Sequence, residues 1–183
     1  YISGALTDSS RSLLVSSGMI NKVYFPRLII PLAPIFSKLI DFSIAFVIVL
    51  FMMTYYGFLP SINILLLPLL IIIMMITASG MGIWLTAMAI QYRDINYALG
   101  FLIQLLMYAA PVVYPASIVP EQFRLLYGLF PMTGVIEGFR SILLQTQQIP
   151  WDLIGIGLIV ALIIFTSGLF YFKRMEKYFA DVA

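Results

Sequence analysis

A chain of 183 residues with 62% hydrophobic and only 10% charged side chains cannot wet the surface of a soluble globule, where charged residues supply about a quarter of the total. It belongs in a membrane, and a water-soluble enzyme is excluded. With neither cysteine nor histidine, disulfides, thiolate nucleophiles, the usual general base and the commonest metal ligand are absent. No Gly-x-x-x-x-Gly-Lys loop is present to cradle a phosphate, so any energy source is an ion gradient or a partner chain.

Tyr1 is not an initiator methionine, and residues 1–21 match neither a signal peptide nor a whole span. The chain therefore reads as the C-terminal portion of a longer protein. Residues 1–27 read as the end of an earlier span followed by a cytoplasmic segment. In that segment, Asn21-Lys22-Val23-Tyr24-Phe25-Pro26-Arg27 precedes Pro31 and Pro34. Three prolines within nine residues should break regular helix and stiffen the bend. Tyr24 and Phe25 between two cations would suit docking into a cleft on another protein. A positive-inside anchor with a tyrosine at the headgroups accounts for the same composition.

A bilayer core about 30 Å thick needs roughly 20 apolar residues as a helix, whose backbone groups are satisfied internally. Residues 42–92 carry no charge and are divided at Tyr55-Tyr56-Gly57-Phe58-Leu59-Pro60, where glycine and proline mark a turn. Spans are expected at about Leu28–Met53, Asn63–Ile90 and Ile95–Val112, the last stopped by Pro111 and Pro115, and again at Leu153–Phe172. Lys38 and Asp41 fall inside the first. Charges at membrane depth are costly, and at a spacing of three they share a helix face and can neutralise each other. Either they do only that, or their face turns toward a conduit and meets water or substrate hydroxyls. Arg93-Asp94 occupies the turn between the second and third spans, as a bridge or simply a topology anchor.

Residues 113–152 are aromatic-rich, with apolar pieces too short to cross. Pro120-Glu121 is a good helix start, so Gln122–Phe130 should be a short helix closed by Pro131. A second, Thr133–Leu144, would place Val135, Ile136, Phe139, Ile142 and Leu143 on one apolar face. Two short helices joined at a proline suggest an outer re-entrant hairpin packed over a vestibule; an amphipathic loop on the lipid surface is the alternative. Glu137 and Arg140 are placed on the polar side of the second helix, as a clamp on an outer gate or a solvated pair. Tyr108, Tyr114, Phe123, Tyr127 and Phe130 gather at the third span's outer end and the hairpin. They would line a conduit that holds sugar rings by their faces, or simply pack the hairpin. Seven basic residues (Arg11, Lys22, Arg27, Arg93, Lys173, Arg174, Lys177) fall on one side and two (Arg124, Arg140) on the other, which puts the first side, and the tail at 173–183, in the cytoplasm.

The fold class is thus an all-α integral membrane protein, a polytopic helical bundle with four complete spans and an outer re-entrant helical hairpin. Lys22–Arg27 followed by Leu28-Ile29-Ile30-Pro31-Leu32-Ala33 closely resembles a motif of the type-2 ABC exporter permeases, in the branch exporting O-antigen, capsular and teichoic acid polymers. Gln91-Tyr92-Arg93-Asp94-Ile95, Met107-Tyr108-Ala109-Ala110-Pro111-Val112-Val113-Tyr114-Pro115 and Ile136-Glu137-Gly138-Phe139-Arg140 resemble three further signatures, in order. Phe130-Pro131-Met132 departs from the family, which commonly has asparagine before the proline, and this weakens any role for an amide there.

The resemblance implies a six-span permease that dimerises with a second copy and binds two ABC nucleotide-binding subunits. An interfacial helix, the first span and most of the second would precede this chain. It places a coupling helix within Ser12–Pro26, with Lys22, Tyr24, Phe25, Pro26 and Arg27 at the ATPase contact. No cofactor is expected here, because ATP and Mg would sit on the partner. The implied cargo is a lipid-linked polysaccharide, the location a bacterial cytoplasmic membrane, and nucleic acid is not a partner. A permease for a small lipid or drug would differ in conduit width. A membrane-embedded glycosyltransferase would want an Asp-x-Asp cluster, which is absent. A gradient-driven flippase would have only Lys38 and Asp41 to couple ion movement.

Overall fold

The computed structural model describes residues 1–16, 18, 26–57, 62–92, 94–112, 118, 120–145 and 148–178. Among them every regular element is helical: α1 (Ile2–Val15), α2 (Ile29–Tyr55), a 3-10 turn (Ile62–Leu66) running into α3 (Leu67–Gln91), α4 (Ile95–Ala109), α5 (Glu121–Gly128), α6 (Pro131–Leu144), α7 (Trp151–Met175) and a closing 3-10 turn (Glu176–Tyr178). α2, α3 with its leading turn, and α7 are long and apolar enough to cross a membrane. The protein is a multi-pass, all-α membrane protein.

Two expectations need correction. The expected third span is a helix of 15 residues, about 22 Å at 1.5 Å per residue and short of a bilayer core. Pro111 excludes Ala110 from the helical region, so three helices of full spanning length are found among the described residues, where four were expected. Pro31 and Pro34 do not break the chain; both lie inside α2. Pro31 occupies the first turn, whose N–H groups need no intrahelical partner. Pro34 does remove the donor to the Ile30 carbonyl, but α1 lies alongside and bonds the same stretch. Ser9 donates to the Pro31 carbonyl at 2.9 Å and the Tyr1 hydroxyl to the Ile35 carbonyl at 3.2 Å.

The chain divides into two compact units. One comprises Tyr1–Phe42, Ala78–Gln104 and Ile163–Ala183; the other comprises Ser43–Thr77 and Leu105–Leu162. The core of the first unit gathers Leu13, Ile30, Ile83, Ala87 and Phe172 from α1, α2, α3 and α7, and Trp84 stacks on Tyr171 with ring centroids 4.8 Å apart. Here α3 and α7 meet backbone to backbone. A Cβ built on Gly80 would lie 2.7 Å from the Phe165 Cα, and one on Gly168 would lie 2.8 Å from the Gly80 carbonyl. Small residues permit such an approach, and in lipid this packing is what holds helices together. The Thr86 hydroxyl lies 2.8 Å from the Ser9 carbonyl and 2.6 Å from the Gly82 carbonyl, within donating reach of both.

The second unit is built around α6. Nine of its residues are buried, including Pro131, Thr133, Gly134, Glu137, Gly138 and Ser141, beyond the apolar face expected for it. Val135 and Ile142 are buried as anticipated, whereas Ile136, Phe139 and Leu143 are half-buried. Gly134 is the reason. A Cβ there would stand 2.5 Å from the Leu153 carbonyl oxygen and 2.9 Å from the Ile154 nitrogen, so α6 lies directly on the α7 backbone. Gly138 opens the same side to Leu70 and Ile154. The helix ends at Gln145, whose N–H still reaches the Ser141 carbonyl at 3.1 Å while its left-handed φ of 54° turns the chain out of the helix, a role usually taken by glycine. α5, by contrast, leaves Phe123, Leu125 and Leu126 exposed.

Candidate functional site

Two polar constellations stand out, one in each unit. In the first unit, Lys38 and Asp41 pair as the spacing predicts, Nζ to Oδ2 at 3.3 Å. The same ammonium also reaches Asp8 on α1 at 3.4 Å. Asp8 could not be found from the Lys38–Asp41 spacing because it comes from another helix, thirty residues away in sequence. One local signal was Gly4: a Cβ there would sit 3.3 Å from the Lys38 Cε, so its absence lets the lysine stem lie across α1. All three side chains stay partly exposed, at 33% for Lys38, 49% for Asp8 and 67% for Asp41.

The second unit holds the Glu137–Arg140 pair. It is not a solvated pair. Glu137 is 3% exposed, and the Arg140 side chain 22%. Arg140 bonds Glu137 through Nη1, and through Nη2 it donates to the Pro111 carbonyl at 2.7 Å and the Val112 carbonyl at 3.3 Å. The guanidinium fork thus ties α6 to the turn that ends α4, donating to two carbonyls just beyond the helix. A second bridge was not anticipated. Arg124 on α5 meets Asp152 at the start of α7, Nε to Oδ2 at 3.0 Å. Both are half-exposed, so this pair adds at most about 1 kcal/mol.

The expected aromatic lining is partly in view. Tyr108 and Phe123 are exposed, Tyr127 and Phe130 half-buried. Of the expected coupling residues, Pro26 is exposed and Arg27 donates to the Glu176 carbonyl at 3.0 Å, joining the start of α2 to the turn that follows α7. Lys22, Tyr24, Phe25, Arg93 and Tyr114 lie outside the described residues. Tyr55 and Tyr56 close α2 as an exposed edge-to-face pair at 5.5 Å, followed by Gly57 at a φ of +81°.

Residues 2–144 match the family model described as ABC-2 type transporter, which covers α1 to α6 and both constellations. The chain belongs to the ABC-2 type transporter family. Two proteins of Klebsiella pneumoniae, each named O-antigen export system permease protein RfbA, are 24% and 25% identical to it. Both alignments take in the whole of this chain and 70% of the relative. A protein of the same name from Myxococcus xanthus is 21% identical over 164 residues, 87% of this chain and 63% of the relative. In this ABC-2 transporter chain the matched region ends with α6, so the α4–α6 tie through Arg140 lies inside it. α7, the helix against which α6 packs, follows it.

Proposed function

We propose that this chain is the permease subunit of an ATP-driven exporter that carries a lipid-linked polysaccharide of the O-antigen type across a bacterial cytoplasmic membrane. The observation that carries the reading is the alignment of the whole chain with O-antigen export permeases. The helical architecture agrees with it: three helices long enough to span plus two short helices, α5 and α6, the second linked to the end of α4 by the half-buried Arg140.

A separate nucleotide-binding subunit holds ATP and Mg and docks on the segment around Lys22, Tyr24 and Phe25. A second copy of the permease completes the conduit, and basic ends at Arg27, Lys173 and Arg174 face the cytoplasm. Arg27, bonded to the Glu176 carbonyl, passes displacement of the docking segment to the end of α7 as a rigid-body motion. α5 and α6 form the outer hairpin. The aromatics Tyr108, Tyr114, Phe123, Tyr127 and Phe130 give the glycan weak, interchangeable contacts, and Glu137 and Arg140 hold the gate's frame.

The test is a pair of measurements on one strain. Cysteine in place of Lys22, in a chain that has no native cysteine, should cross-link to the nucleotide-binding subunit with a yield that changes when ATP is added. Deleting the gene should leave lipid-linked glycan on the cytoplasmic face and none at the cell surface. Normal surface glycan in the deletion strain would refute the export reading.

A further inference from the structure

The charged residues of the first unit do not scatter. On α1, Ser3, Asp8 and Arg11 are exposed and Thr7 half-exposed, spaced as one helix face. On α2, exposed Ser37 and Asp41 flank half-exposed Lys38, and Lys38 bridges the two helices by reaching Asp8 and Asp41. Lys38 lies nine residues into α2, about 14 Å along its axis, inside a helix long and apolar enough to cross a membrane. A neighbouring sector of the same helix shows what a lipid face looks like: Phe36 and Ile40 are 53% and 65% exposed.

Charges at this depth are retained only where they meet protein or water. The Lys38 bonds satisfy one oxygen of each carboxylate and leave acceptor capacity on both, and both side chains stay about half or more exposed. The face carries two positive and two negative groups with hydroxyls between them, so it has no surplus of positive charge with which to hold a phosphate. Its donors and acceptors alternate over a few ångströms, as do those of adjacent hydroxyls on a sugar ring.

We propose that the α1–α2 face formed by Asp8, Lys38, Asp41 and Ser37 is a water-filled wall of the conduit that binds the hydroxyl groups of an electrically neutral glycan. The carboxylates accept from sugar hydroxyls and the ammonium donates to them. Bonds of this kind exchange readily with water and with the next residue of the polymer, so they guide it without trapping it. This inference rests on the export reading and adds to it a substrate class and a second lining, polar where the hairpin is aromatic.

The test uses the full permease with its ATPase in membrane vesicles. Single cysteines replace Ser37, Asp41 or Asp8 as test positions and Phe36 or Ile40 as lipid-facing controls, and a membrane-impermeant, negatively charged thiol reagent is applied. The test positions should react on the order of tenfold faster than the controls, since only they meet water. In vesicles from cells making a neutral lipid-linked glycan, with ATP withheld, Ser37→Cys should be protected relative to vesicles without glycan. A polyphosphate oligomer should give no protection. Lys38→Met should slow export while ATP hydrolysis persists, and Lys38→Arg should recover much of it. Equal labelling at test and control positions, or protection by polyphosphate but not by glycan, overturns the inference. The Ser37→Cys result stands even if Lys38→Met fails to insert. If the unmodified complex exports glycan while the labelling pattern fails, this wall is wrong and the export reading survives; if it exports none, the export reading itself has failed.

Discussion

Replacing Arg140 with methionine keeps most of the side-chain length and removes both the charge and the fork. Glu137, at 3% exposure, would lose the guanidinium that it pairs with, and the Pro111 and Val112 carbonyls would lose their shared donor. Breaking a buried ion pair from one side typically costs 3–5 kcal/mol, in roughly that range here. The 22% exposure of Arg140 moves the expected value to the lower end, about 3 kcal/mol, lost carbonyl bonds included. Glu137→Met together with Arg140→Met also removes the buried carboxylate that has lost its guanidinium, and the two carbonyls still lack their arginine donor, for about 1–2 kcal/mol. The double variant should therefore be more stable than the Arg140→Met single, which is the reverse of additive damage. For a chain of this size each kcal/mol corresponds to roughly 2–4 °C in the unfolding midpoint. Arg140→Met should thus lose about 6–12 °C in detergent micelles, read by the fraction eluting as folded protein after heating. An Arg140→Met midpoint indistinguishable from the unmodified protein, or a double variant no better than the single, would refute the buried-latch argument.

Gly134→Ala should force α6 off the α7 backbone and lose about 1–3 kcal/mol of stability. Gly100→Ala, with nothing within 4 Å of the new methyl, should be neutral or gain up to about 1 kcal/mol from helix propensity; equal effects at both sites would contradict the close approach. Thr86→Val keeps shape but removes the hydroxyl within reach of Ser9 and Gly82, so the heat-unfolding midpoint should fall by about 1 kcal/mol equivalent, with the rate of export unchanged. Arg27→Gln should release the tail beyond Glu176 from α2, and trypsin should then cut at Lys177 faster than in the unmodified protein. An unchanged rate of tail release by mass spectrometry would show that the Arg27 bond does not hold the tail.

The spanning helices were legible because a bilayer imposes length and apolarity together. The ends expected at 28–53, 63–90 and 153–172 differ from α2, α3 and α7 by a few residues at most. α4 starts where expected and ends three residues early, because the proline keeps Ala110, Pro111 and Val112 out of the helix although all three are apolar enough to count toward a span. The Lys38–Asp41 pair followed from helical spacing, whereas Asp8 depended on how α1 crosses α2, which spacing within one helix does not encode. The burial of Glu137 was missed because an acidic residue on a helical wheel looks solvent-facing. Gly134 and Gly138 beside it were the overlooked signal, since two small residues on one side mark where another backbone will lie. Gln145 ends α6 without the glycine that usually announces a left-handed cap, so that boundary had no local signature.

The glycine contact between α3 and α7 carries a consequence for how stability varies with temperature. A soluble core weakens on cooling because its burial of apolar surface from water has a large heat capacity. Gly80 and Gly168 bring two backbones together where the displaced neighbour is lipid, so little apolar surface leaves water when the contact forms. Its contribution comes from dispersion between close-packed atoms and should vary little between the cold and the growth temperature. Cold should therefore leave this seam intact, and any loosening of the protein on cooling should begin in its water-facing segments.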